Sequence, residues 1–193
     1  MKLLFAIVIA AVIYANHTKS NPKMINTADT PHSHSIDFSQ AEEIKHWRIT
    51  DDEVMGGRSQ GKIHFENGYG IFSGYISLEN NGGFSSTFRP IDPLSSHLKT
   101  VTINVMGDGL IYQLRMITMV DGYRLSYKHN FATTYGQRQT IRFLLKDFQA
   151  SFRGRMIANA PLLASEDIIE IGLLINNKKP ETFSLSLFNM QFN

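Results

Sequence analysis

From residue 60 onward the chain alternates between apolar and polar positions. Ile63 and Phe65 are interleaved with Lys62, His64 and Glu66. Val101, Ile103 and Val105 are interleaved with Thr100, Thr102 and Asn104. Tyr112, Leu114 and Met116 flank Gln113 and Arg115, while Ile141, Phe143 and Leu145 continue past Arg142. A period of two puts successive side chains on opposite faces of an extended chain, so each run predicts a strand with one apolar face. Asn67-Gly68, Asn80-Asn81-Gly82-Gly83, Gly107-Asp108-Gly109 and Asp121-Gly122 separate the runs. Such dipeptides supply the positive φ angles of tight turns. The last three bracket a predicted meander over 98–106, 111–119 and 123–131. Ile168 to Ile175 is apolar apart from Glu170 and predicts a strand buried on both faces. In the final run, Phe183 to Phe192, the apolar phase shifts between Leu187 and Phe188, which predicts a bulge. A short helix is expected over Ser39–His46, with Ser39 as N-cap and Glu42 completing a capping box. About ten short strands with almost no helix predict an all-β fold, an antiparallel β-sandwich of jelly-roll type, without internal repeats.

Composition adds bounds. The 193 residues, 42% hydrophobic, suit one well-cored domain. A net charge of +2 with dispersed Lys and Arg excludes a nucleic-acid surface. The N-terminus behaves differently from the rest. Lys2 precedes an apolar run from Leu3 to Ala15, too short for the roughly twenty residues of a membrane span and matched to a signal-peptide core. Residues 1–15 are therefore expected to be a signal peptide cut after Ala15, with an uncleaved membrane anchor as the alternative. Residues 16–36 are polar, contain Pro22 and Pro31 and read as a flexible linker, leaving 37–193 as the folded domain. The chain is thus expected to be exported, periplasmic or secreted. It has no cysteine, so export brings no disulfides.

Candidate chemistry concentrates in residues 51–61, DDEVMGGRSQG. Gly57-Arg58-Ser59-Gln60-Gly61 spells G-x-S-x-G, the signature of a hydrolase nucleophile. That chemistry needs a strand-to-helix turn in an α/β sheet, whereas Ser59 leads into a strand pattern, so a catalytic Ser59 is a remote alternative. His64, His97 and His129 are isolated along the chain, and His32 and His34 fall in the linker. Asp51, Asp52 and Glu53 offer hard oxygens without the spacing of a calcium loop. Their expected work is to accept N–H bonds from the Val54–Gly57 turn, calcium held by scattered loop oxygens being the alternative. No cofactor and no metal site are expected.

Five motifs in order carry a family resemblance. Trp47 through Ser59 reads W-x-x-x-x-D-x-V-M-G-G-x-S. Phe72-Ser73-Gly74 follows, then Leu78-Glu79-Asn80-Asn81-Gly82-Gly83-Phe84. Gly107-Asp108-Gly109 with Tyr112, and Phe148 with Phe152-Arg153-Gly154-Arg155, complete the set. The chain resembles the complex I intermediate-associated protein 30 family over roughly residues 37–192. Arg138 and Leu144 depart from it, standing where a Trp is usual and a Pro frequent. The resemblance implies a galactose-binding-domain-like jelly roll. Its mitochondrial members are assembly chaperones of NADH:ubiquinone oxidoreductase that catalyse nothing.

Together these readings predict a non-enzymatic, extracytoplasmic binding module with a protein partner. Its candidate surface comprises Asp52, Met55, Gly56, Gly57, Ser59, Asn81, Gly82, Gly83, Phe84, Asp108, Tyr112, Arg153 and Arg155. Glycines allow close approach, and Met and Phe supply adaptable apolar contact. Arg153 or Arg155 is expected to clamp Asp52 or Asp108. Carbohydrate binding is the alternative, for which an exposed aromatic pair near the glycine loops would argue and a buried Trp47 would not.

Overall fold

The computed structural model describes residues 34–152 and 154–193. The N-terminal apolar segment, the linker up to residue 33 and Arg153 lie outside the described residues. Two antiparallel sheets pack face to face, as the alternation predicts. In chain order the strands are β1 (His34–Asp37), β2 (Arg48–Asp51), β3 (Gln60–Glu66), β4 (Tyr69–Ile76), β5 (Phe84–Pro90) and β6 (Thr100–Met106). They continue as β7 (Ile111–Val120), β8 (Tyr123–Ala132), β9 (Arg138–Leu144), β10 (Gln149–Phe152), β11 (Arg155–Met156), β12 (Glu170–Asn176) and β13 (Glu181–Phe192). One sheet has the order β3-β4-β13-β6-β9, with β1 pairing the far half of β13. The other has the order β11-β10-β8-β7-β12-β5-β2.

The core lies between them. Phe72, Val101, Ile103, Val105, Leu185 and Leu187 come from one sheet, and Tyr112, Leu114, Met116, Ile171 and Leu173 from the other. Trp47 is buried against Phe38, ring centroids 5.4 Å apart. The predicted bulge is present: pairing of β13 with β6 steps from Leu187↔Val105 to Asn189↔Asn104. Phe188 is the extra residue, so the buried positions change from Phe183, Leu185 and Leu187 to Met190 and Phe192.

Three expectations need correction. The meander is broken: β7 and β8 form a hairpin, but β6 belongs to the opposite sheet, so Gly107–Gly109 is a crossing between sheets. The helix is a single 3-10 stretch, Ala41–His46, without a side-chain cap. Ser39 turns its hydroxyl to Asp37 instead (2.9 Å). Residues 34–36, read as part of the linker, belong to β1, where Ile36 is buried and pairs with Met190.

Candidate functional site

Asp51 and Asp52 stand where β2 leaves one sheet and the chain crosses to β3 in the other. Residues 77–83 make the return crossing from β4 to β5. The two aspartates stitch these crossings together. Asp51 accepts from Gly61 N–H (2.8 Å) on β3 and from the Ser85 hydroxyl (2.6 Å) on β5. Asp52 is fully buried. One of its oxygens accepts from Ser59 N–H (2.9 Å); the other accepts from the Ser59 hydroxyl (2.5 Å), Gly83 N–H (2.5 Å) and Phe84 N–H (3.1 Å). Burial pushes its pKa up, but the Ser59 hydroxyl and the amide donors outweigh that and hold it below the usual aspartate value.

The neighbouring glycines follow from this carboxylate. A Cβ on Gly57 or Gly82 would fall onto it, and Gly56 closes the turn at φ 87°. Asn80 and Asn81 sit at φ 54° and 61°, and the Asn80 amide donates to Gly56 O (2.9 Å), linking the two loops again. Predicted site residues Asp52, Gly56, Gly57, Ser59, Asn81, Gly82, Gly83 and Phe84 are thus brought together. Val54 and Met55 are left at the tip, 72% and 69% exposed.

Ser59 is only 3% exposed, and its hydroxyl also accepts from Ser77 N–H (3.0 Å). Among the described residues no imidazole is hydrogen-bonded to it, and it leads into β3 and not into the helix that a nucleophile elbow requires. Among the described residues no three His, Asp or Glu side chains gather as a metal site requires.

Asp108 and Tyr112 form a second knot at the β6–β7 crossing. Asp108 accepts from the buried Tyr112 hydroxyl (2.9 Å), from Ser184 N–H (2.7 Å) on β13 and from Leu110 N–H (3.1 Å). Burial and the Asp108 charge push the Tyr112 pKa far upward. The knots border one end of the sandwich: Asn177 N–H donates to Gly83 O (3.1 Å), and Asn177 shares a hollow with Gly109. Among the described residues no arginine contacts either aspartate. Both are held by amides and hydroxyls, and Arg155, on the two-residue β11, is exposed and unpaired among the described residues. Arg153 lies outside the described residues.

Sequence reasoning missed the outer face of the seven-stranded sheet. There the alternation turns Gln113, Arg115 and Ile117 of β7 away from the core, beside Ser126, Lys128 and Asn130 of β8 and Leu174 and Asn176 of β12. Two hollows, about 360 Å³ and 270 Å³, lie on this side and share Asn130. The first is lined by Gln113, Asn176 and Asn177 with the Gly109–Ile111 turn, the second by Lys128, Asp147 and Gln149. Only the strand order β8-β7-β12 brings these side chains together, so no local motif announces them.

The family model described as complex I intermediate-associated protein 30 (CIA30) matches residues 36–187. No curated protein matches the chain. Among solved structures, the family 11 carbohydrate-binding module of the cellulase Lic26A-Cel5E of Clostridium thermocellum superposes with a TM-score of 0.63, at 14% identity over 83% of this chain and 93% of that one. The same type of module from Clostridium thermocellum, in complex with a mixed-linked tetrasaccharide, gives 0.61 at 14% identity over 82% and 94%. The agarase AgWH50C gives 0.53 at 12% identity over 83% of this chain and 24% of the enzyme. At such identities the likeness establishes the shared sandwich fold.

Proposed function

The chain belongs to the complex I intermediate-associated protein 30 family, and from that premise we propose that it is an exported, non-enzymatic binding module that holds a protein partner and assists assembly of a protein complex. The observation that carries this reading is the Asp52 knot. It locks two sheet crossings with four hydrogen bonds and leaves Val54 and Met55 projecting from a rigid base. An apolar tip whose backbone is already ordered loses little entropy when it docks, and methionine adapts to irregular surfaces. Burial of Trp47, the only tryptophan, removes the largest candidate platform for a sugar ring.

The test is site-specific photo-cross-linking from position 55 in cells, with position 75 on the six-stranded sheet as control. A discrete adduct at 55, lost when Val54 is changed to Ser, is the expected result. Identical patterns at 55 and 75 would overturn the assignment.

One observation favours carbohydrate as a second reading. Gln113, Asn130, Asn176 and Asn177 line one hollow, and a carboxamide pairs a donor with an acceptor as vicinal hydroxyls require. Tyr135, 82% exposed, lies against Gly109 at its rim, as one aromatic rather than the pair expected.

A further inference from the structure

Arg115 sits in the middle strands of the seven-stranded sheet, partly buried and directly opposite Lys128 on β8. Like charges in that relation repel. Their neighbours do not relieve them. Glu170, on the same face, is already engaged by Arg48 (2.5 Å) and Arg124 (2.7 Å), which both lie over the Phe88 ring. Asp147 shares the smaller hollow with Lys128, yet no ion pair joins them, and neither Arg115 nor Lys128 has an anionic partner among the described residues.

The guanidinium is nevertheless held in place. Its Nε and Nη2 donate to Gln113 Oε1 (3.1 and 2.7 Å), and Nη1 donates to the Ser126 hydroxyl (3.3 Å). Neutral acceptors orient it without cancelling its charge, and two of its five N–H donors stay free. Burial lowers its pKa, in keeping with a cation short of a counter-charge. A partly desolvated, oriented and unpaired guanidinium favours a carboxylate, which its planar fork matches.

Resting on the carbohydrate reading above, we propose that this face binds an acidic oligosaccharide, with Arg115 and Lys128 taking a uronate carboxylate, Gln113 holding Arg115 in place, and Asn130 and Asn176 taking ring hydroxyls. An acidic peptide fits less well, because protein interfaces need an apolar core and both hollows are lined mainly by polar side chains.

The test is titration calorimetry of the full chain against trimers of galacturonate, glucuronate and mannuronate, each beside its methyl ester. Binding of at least one acid trimer, about tenfold or more tighter than its ester and weakened by salt, is expected. Arg115→Gln and Lys128→Gln should each lose about tenfold in affinity, and Lys128→Gln should melt no lower than the wild type, since it removes an uncompensated cation that makes no hydrogen bond among the described residues. Equal binding of acid and ester would overturn the acidic assignment and leave the carbohydrate reading standing. No binding of any trimer would overturn both. Undiminished affinity in both variants would place the ligand elsewhere and overturn the site.

Discussion

Asp52 accepts four hydrogen bonds on two oxygens, three of them on the same atom. Asp52→Asn keeps the shape but can turn an NH2 group toward the Ser59 hydroxyl and the amides of Gly83 and Phe84. Losing charge-assisted bonds and stranding buried donors costs about 3 kcal/mol or more, so the variant should melt roughly 6–12 °C lower at neutral pH. The pH dependence has a definite sign. A folded-state pKa held below the usual value contributes stability in full above the ordinary aspartate pKa of about 4, and that stability is lost as pH falls through the lowered value. The gap between wild type and Asp52→Asn should therefore narrow below about pH 4; a gap of constant width down to pH 2 would remove the carboxylate from the explanation. Gly56 and Gly57 separate two kinds of constraint. Gly56→Ala meets open space at φ 87° and should cost about 1 kcal/mol. Gly57→Ala drives a methyl into the Asp52 carboxylate and should cost more by thermal melting.

At the scale of elements, the bulge in β13 lets one strand serve two phases. Deleting Phe188 would make pairing with β6 continuous, from Val105 to Asn104, and keep Met190 and Phe192 facing inward. The loss is the Arg138 contact over the Phe188 ring, 3.7 Å from its centroid, the Tyr69 ring contact at 5.1 Å and one backbone bond from Phe38. Such a variant should still fold, about 1–2 kcal/mol less stable by denaturant titration. An alanine inserted between Ile103 and Asn104 of the regular strand β6 turns core residues outward and should prevent folding. The bulge was legible because apolar residues change phase at Leu187–Phe188. The helix at Ser39–His46 was misread because its composition fits a cap, yet Ile44 is its only large apolar residue and it has no face to bury. The Gly107–Gly109 crossing was misread as a hairpin turn because period two says which face a residue takes and nothing about which sheet owns the strand. The Asp52 knot was legible in part, as an acidic turn, but its donors are Ser59, Gly83 and Phe84 in place of the expected Val54–Gly57 amides, because the partner loop arrives from β4–β5; the sheet-face cluster depends on strand order and left no local trace.

At the scale of the whole molecule, the strand that closes the domain is also the one that organises the six-stranded sheet. β13 is bordered by β4 along its first half, by β1 along its second and by β6 on the other side. The partners of the final residues were made long before: Phe192 pairs with Val101 and with His34. Until residue 181 onward is available, three strands have no neighbour on that side and Phe72, Val105 and Ile103 lack the β13 side chains beside them. Folding therefore waits for the end of the domain. Chains arrested on the ribosome with only residues up to 180 exposed should stay sensitive to a brief protease pulse, and resistance should arise once residue 193 has emerged. Resistance in the shorter chain would mean that the sheet closes without its central strand. A polypeptide that postpones its folding in this way stays threadable until β13 has been made, the condition that the proposed passage through a narrow translocation channel would require.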